Sequence, residues 1–234
     1  MTPLRYDLHL HSCLSPCADR DMTPANLAGL CALNGAQLIA LADHNSALNL
    51  PAAKRCCDAY GVKLLPAIEA NTAEEIHLLC YFATVDAALE MGEILYRSLP
   101  AFPYDPAIWG EQWVMDEDDR VTAKVEKLLT GAVEMDLYQV ADACRALGGV
   151  PVPAHIDKDS YSVLSVLGLW PGDAGFELAE ASRPERWAGL QARGLVPAGL
   201  GMLTSSDAHQ LAALRTGFPL LGPGSPLWPL VERL

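Results

Sequence analysis

Hydrophobic and polar positions along this chain fall into a repeated rhythm of short apolar runs and amphipathic stretches. Tyr6-Asp7-Leu8-His9-Leu10-His11-Ser12 alternates, so on a β-strand His9 and His11 point to one face and Leu8 and Leu10 to the other. Thr23-Pro24 reads as an N-cap followed by proline in the first helical turn, and Leu27, Leu30, Cys31 and Leu33 recur at helical spacing until Gly35 ends the helix. Residues 37–42 form an apolar run of the kind buried in parallel sheets, which stops at Asp43-His44-Asn45. A helix over 50–60 closes at Gly61, and a second buried strand over 62–68 stops at Glu69. The next strand covers 75–82, with His77 as its polar member, and a helix follows over 86–99.

Residues 100–120 break the rhythm with Phe102, Tyr104, Trp109, Trp113 and the acidic run Asp116-Glu117-Asp118-Asp119. Such a Pro-rich and aromatic insertion reads as a functional loop or lid, and 112–123 could form a hairpin turning at Asp118-Asp119. Helical pattern resumes over 121–129 and 136–147, and a short strand over 150–154 ends at His155. A helix over 159–167, a strand over 175–179 and a helix over 184–193 lead to a strand over 199–206 that stops at Asp207-Ala208-His209. The Pro- and Gly-rich tail is expected on the surface. Seven strands alternating with helices imply an α/β fold of parallel βα units, closed or nearly closed into a barrel whose strand ends share one rim. An open doubly wound sheet is the alternative.

Composition narrows the classes. The 234 residues suit one domain over 1–234, with 100–120 as its lid-like insertion. A hydrophobic share of 51% against 19% charged excludes a disordered chain. No apolar run reaches the roughly 18–20 residues of a membrane span, and no leader is visible, so a cytoplasmic protein without membrane attachment is expected. Seven scattered cysteines fit neither a zinc ribbon nor a disulfide framework. The net charge of −13 argues against long duplex nucleic acid and leaves a small anionic substrate, provided bound metal supplies positive charge. Oligomeric state is left open.

All six histidines, His9, His11, His44, His77, His155 and His209, lie in or just after an expected strand. Shared metal binding explains that placement, although a single member, His77 above all, could instead be a hydrogen-bonded core residue. Glu69 and Asp207 add carboxylates at the same rim, and mixed N/O ligation suits Zn, Mn or Fe. The ligands outnumber what one ion can use, so two or three ions are implied, a cluster able to polarise a phosphoryl oxygen and generate hydroxide.

Asp7-x-His9-x-His11, Ala42-Asp43-His44-Asn45-Ser46, Pro66-x-x-Glu69, Pro153-Ala154-His155 and Ser206-Asp207-x-His209 resemble, in order and spacing, the motifs of the polymerase and histidinol phosphatase (PHP) superfamily. The resemblance covers nearly the whole chain. It implies a distorted (βα)7 TIM-like barrel, with two to three divalent transition-metal ions at the C-terminal rim of its strands. By motif position His9, His11, Glu69 and Asp207 would hold one ion and Glu69, His77 and His155 a second, with His44 and His209 completing the cluster. Glu69, Asp207 and His209 would carry the catalysis. Where relatives with three metals have a His or acid in the loop after the first motif, this chain has Ser15-Pro16-Cys17-Ala18-Asp19. Either Cys17 or Asp19 could supply that ligand, or Cys17 could be a buried thiol. Asp43 reads as a group that orients a ligand imidazole.

The implied function is hydrolysis of a phosphoester in a small phosphorylated metabolite or nucleotide by a metal-bound hydroxide. Lys158, Arg183, Arg20 and Arg215 are the nearby cations, with Lys158 the first choice for substrate phosphate and Arg183 and Arg20 next. An amidohydrolase-like C–N hydrolase is an alternative that lacks a lysine suited to bridge metals. A non-catalytic metal-binding interaction module is a third reading, and it would require a degraded ligand set.

Overall fold

The computed structural model describes residues 2–101 and 104–234, so Phe102 of the insertion lies outside the described residues. The first half holds β1 (Leu4–Leu10), α1 (Pro24–Leu33), β2 (Leu38–Leu41), α2 (Leu50–Tyr60), β3 (Lys63–Leu64), β4 (Ala67–Asn71), β5 (His77–Tyr81), α3 (Val85–Ser98) and α4 (Pro106–Trp109). After it come β6 (Trp113–Met115), β7 (Val121–Lys124), α5 (Leu137–Ala146), β8 (Val150–Pro153), α6 (Val163–Leu167), β9 (Leu178–Glu180), α7 (Trp187–Ala192), β10 (Gly201–Leu203), β11 (Leu220–Leu221) and α8 (Trp228–Val231). Local chemistry sets the boundaries. Thr23 Oγ1 accepts from Asn26 N at the start of α1, Asp136 and Gln139 form a reciprocal capping box on α5, and Gly61 ends α2 at φ 72°.

β1 pairs with β2, β2 with β3 and β9 with β10, all parallel, as the alternation of strands and helices implied. β5 departs from it, running antiparallel to both β4 and β8. The connection from Asn71 to His77 is a tight turn in which Glu75 N donates to Thr72 O at 2.8 Å, far too short for a parallel crossover. The reversal brings His77, at the start of β5, opposite Asn71 at the end of β4. The sheets meet through single bridges, Leu10 to Ala208 and His44 to Glu69, and through Ile156 N donating to Glu180 O at 2.9 Å. No continuous ladder closes these sheets into a barrel among the described residues.

One apolar cluster joins Leu8, Leu38, Ala67, Leu79, Val152, Leu178 and Leu203 from seven strands. Contrary to the expectation of a surface tail, the C-terminus enters this cluster: β11 pairs with β1, and Leu227, Trp228 and Val231 are buried. Tail composition misled because proline opens α8 without breaking it. A second cluster packs α1, α2, α3 and α5 against the strands. The β1 register is irregular between Asp7 and Leu10, so Leu8 enters the first cluster and Leu10 the second, instead of sharing a face.

The insertion contains the expected hairpin, β6 against β7, with Asp119 at φ 62° in its turn. Residues 121–124 are therefore strand where a helix was expected, their backbone paired across to β6. The hairpin is pinned beneath its tip: Trp113 N donates to Cys13 O at 3.0 Å and Met115 N to Asn49 Oδ1 at 2.8 Å. The guanidinium of Arg20 lies over the Trp113 ring at 5.3 Å, whereas Trp109 is 51% exposed.

Candidate metal centre

Strand ends and the turns after them deliver the site. His9 and His11 come from the end of β1, His44 from beyond β2, Glu69 from β4, His77 from the start of β5, His155 from beyond β8, and Asp207 and His209 from beyond β10. His155 and Asp207 hold left-handed backbone, φ 31° and 54°, which turns the chain sharply off its strand. Asp207 is further held by its neighbour, since Ser206 N donates to the buried Asp7 Oδ1 at 2.9 Å.

Glu69 sits at the middle, 1% exposed, and its two oxygens face different sets of imidazoles. Oε1 lies 2.9 Å from His77 Nδ1, 3.2 Å from His155 Nε2 and 3.3 Å from His9 Nε2. Oε2 lies 3.2 Å from His44 Nδ1 and 3.3 Å from His11 Nε2. Asp207 Oδ1 closes one side at 3.4 Å from His9 Nε2 and 3.3 Å from His11 Nε2. Three groups thus converge closely enough to share an ion: His9, His11, Glu69 and Asp207; His44, Glu69 and His77; and His11, His44 and His209.

The imidazoles are held in defined tautomers by partners behind them. His9 Nδ1 donates to Glu180 Oε2 at 2.9 Å, which turns Nε2 toward Glu69 and Asp207. His11 Nδ1 donates to Ser15 Oγ at 3.1 Å, and Ser15 Oγ in turn donates to Asp43 Oδ1 at 2.7 Å. Asp43 also accepts from Ser12 N and Ser12 Oγ, so it orients His11 through a serine. His209 Nδ1 donates to Asp207 O at 2.9 Å, leaving Nε2 as its ligand nitrogen.

Glu180 escaped the sequence reading. The expected strand stopped one residue early at Ala179, and a lone glutamate carries no motif, although a carboxylate at a strand end was the available signal. It is buried, and besides His9 it accepts from His155 N at 3.2 Å.

Charge is stored here. Burial works against a proton on His9, but Glu180, Asp207 and Glu69 outweigh it and lift its pKa well above the histidine range. His11, equally buried, is raised to about 9 by hydrogen bonding to Asp207 and Glu69. Glu69 and Asp207 resist burial because the surrounding imidazoles hold their carboxyls well below the usual range. Burial, then the charge of His11, lowers His209 to about 4.

The residues fit a metal cluster. His44 Nδ1 and His155 Nδ1 are buried without a hydrogen-bond partner, and five imidazoles crowd one carboxylate, a donor set for divalent transition ions. Cys17 and Asp19 do not join any of the three convergent groups. Cys17 is the exposed cysteine of the seven; partial desolvation, then the charge of Glu69, holds its thiol up at about 12.

The cations differ in placement. Lys158 Nζ lies 2.5 Å from Asp207 Oδ2 and lines the cavity of about 140 Å³ that opens over Glu69, His77 and His155, with Tyr161 stacked on His77. Arg20 is engaged with Trp113, Arg183 is tied by its backbone N–H to Asp157, and Arg215 donates to Ser205 O.

No family model and no curated protein sequence matches the chain. Solved structures do. The lesion-specific endonuclease Q of Pyrococcus furiosus is 19% identical over 90% of this chain and 49% of its own, with a TM-score of 0.60. The chain thus spans about half the length of that enzyme. A protein of Bifidobacterium adolescentis, provisionally designated a metal-dependent phosphoesterase, is 19% identical over 97% of this chain and 96% of its own, with a TM-score of 0.59. An amidohydrolase of Chromobacterium violaceum, solved with bound sulfate and no metal, is 18% identical over 98% and 96%, with a TM-score of 0.64.

These findings correct the expected partners. Endonuclease Q has been solved on a 27-mer duplex with an abasic lesion at its active site, so the expectation that excluded duplex nucleic acid and favoured a small phosphorylated substrate does not hold for this fold. The net charge of −13 misled because charge summed over a chain does not fix the potential at one cleft. No helix among the described residues is long and apolar enough to cross a membrane. The architecture is mixed α/β, and the chain shares its fold with these solved structures, in keeping with the resemblance of its motifs to the PHP superfamily.

Proposed function

We propose that the protein is a metal-dependent phosphoesterase that hydrolyses a phosphoester of nucleic acid. The place of Glu69 in two convergent groups at once, one with His9, His11 and Asp207 and the other with His44 and His77, carries this reading, because a carboxylate so placed can bridge two ions. His9, His11, Glu69 and Asp207 would hold one ion and Glu69, His77, His155 and His44 a second, of Zn, Mn or Fe, with His209 and either Cys17 or Asp19 available to a third. Bound ions supply Lewis acidity to a phosphoryl oxygen and an activated water. The protein's own part is placement and charge. Lys158 attracts the phosphate at the mouth of the cavity, Tyr161 offers an exposed ring beside it, and Glu180 and the Ser15–Asp43 pair fix the imidazoles. His209, the most exposed of these imidazoles, stands nearest solvent, where a proton leaving the attacking water can be received, and Asp207 holds its ring through a backbone carbonyl. Around this site we read β1, β2, β4, β5, β8, β9 and β10 as one distorted barrel opened at its single-bridge seams.

The likeness to endonuclease Q, solved in complex with a lesion-bearing duplex, supports nucleic acid as the substrate class. The likeness to the amidohydrolase favours a second reading, C–N hydrolysis. Against it, Lys158 is the lysine at the site, and although burial opposes its charge, Asp207 raises its pKa. An ammonium so held is a poor bridging group. The test is hydrolysis of an abasic-lesion duplex and of bis(p-nitrophenyl) phosphate by protein reconstituted with Mn or Zn, beside a panel of amides. Metal-dependent cleavage of the phosphodiesters supports the reading, and cleavage of amides alone overturns it.

A further inference from the structure

A second, wider cleft adjoins the metal centre, and Lys158 lines both. It has a volume of about 650 Å³ and runs between α6 and α7, past Ser165, Arg186 and Arg193. Its charge is out of keeping with the chain. Lys158, Arg186 and Arg193 face Asp157 and Asp159, a balance of one positive in a protein of net −13. Asp157 is moreover occupied, accepting from Ser182 N at 2.7 Å and Arg183 N at 2.9 Å.

The two arginines line the cleft with most of their donors unused. Five exposed cations pair with carboxylates, Lys54 with Asp58, Arg55 with Glu117, Arg97 with Glu93, Arg120 with Asp118 and Lys124 with Glu111, while others such as Arg5 and Lys63 rest on carbonyls away from this cleft. Arg186 instead donates only to Asp157 O and Arg193 only to Gly189 O, both at 3.2 Å, and neither has a carboxylate partner among the described residues. A guanidinium resting on one carbonyl keeps most of its five donors for an oxyanion.

From this we infer that the cleft between α6 and α7 binds the phosphate backbone of a nucleic-acid strand, with Arg186 and Arg193 on successive phosphates and Lys158 handing the strand to the metal centre. The inference rests on the nucleic-acid reading above and adds the path of the strand. Phosphate contacts of this kind set position and affinity, not sequence preference.

The experiment is fluorescence anisotropy of a labelled phosphorothioate single strand on the metal-loaded protein across a salt series. Arg186→Ala with Arg193→Ala should weaken binding at least tenfold and flatten the slope of log K against log salt by about 0.7 per lost contact. Arg186→Lys with Arg193→Lys should keep most of that slope, and Arg97→Ala, on α3, should match the parent. Metal content and melting temperature of each variant separate lost contacts from lost structure. Parent-like affinity and slope in a folded, metal-loaded Ala double variant would overturn the cleft while leaving the nucleic-acid reading intact. Absence of binding by the parent would overturn both.

Discussion

His9 Nδ1 and Glu180 Oε2 lie 2.9 Å apart in a part of the protein without access to water. A carboxylate behind a ligand imidazole fixes its tautomer and strengthens its other nitrogen as a donor, and loss of such a partner costs roughly 10–100-fold in metal affinity. Glu180→Gln keeps the shape and removes the charge. It should lower metal affinity about tenfold or more, measured by chelator competition, with the fold retained by circular dichroism. Parent-like affinity would reduce Glu180 to a buried packing group.

Protons and metal compete at this site. With His9 raised well above the usual range and His11 at about 9, both are protonated near pH 7 when no metal is bound, and binding must displace about two protons per chain. Calorimetry in buffers of different ionisation enthalpy should show that release, and affinity should rise with pH until about 9. The same shift governs stability. His11 has a folded pKa above its unfolded value of about 6.5, so its contribution is full below that pH and is lost as pH rises through about 9. Metal-free protein should therefore melt lower at alkaline pH, an effect that metal should suppress.

The two tryptophans of the insertion separate packing from cover. Trp113 is half-buried, anchored through Cys13 and carries Arg20 on its ring. Trp113→Ala should cost roughly 2 kcal/mol, below the 3–5 of a fully buried ring, and lower the melting temperature by about 4–8 °C. Trp109→Ala, at an exposed ring, should leave stability within about 0.5 kcal/mol and alter turnover of an oligonucleotide if 100–120 is a lid. Equal melting temperatures for the two variants would contradict this division.

The loop cysteine has a spectroscopic test. Desolvation, then the charge of Glu69, holds its thiol up at about 12, so a thiolate at neutral pH requires a bound cation. If Cys17 supplies the loop ligand, cobalt-substituted protein shows a thiolate-to-cobalt charge-transfer band that Cys17→Ser removes and Asp19→Ala keeps. Loss of an ion with Asp19→Ala alone would move the role to Asp19.

Much of this site was legible because its chemistry is local. His9 and His11 announce themselves by alternation, and Glu69, His155 and Asp207 by standing where apolar runs stop. Strand direction was missed although a signal was present: the six residues left between the expected strands 62–68 and 75–82 are too few for a parallel crossover, so β5 had to run backwards beside β4. Trp228 looked like part of a surface tail because the gap it fills exists only once the strands surround it. Glu180 carries no motif and becomes meaningful when folding places it behind His9. The limit on nucleic acid failed for a related reason, charge being a property of places rather than of chains.

The central claim is that Glu69 is shared between two ions, and the metal stoichiometry of Glu69→Gln against that of His77→Ala tests it most directly. A bridging carboxylate predicts that Glu69→Gln depletes both ions and abolishes phosphodiester hydrolysis, whereas His77→Ala loses about one ion. Loss of a single ion from each variant, or full loading of Glu69→Gln, would contradict it.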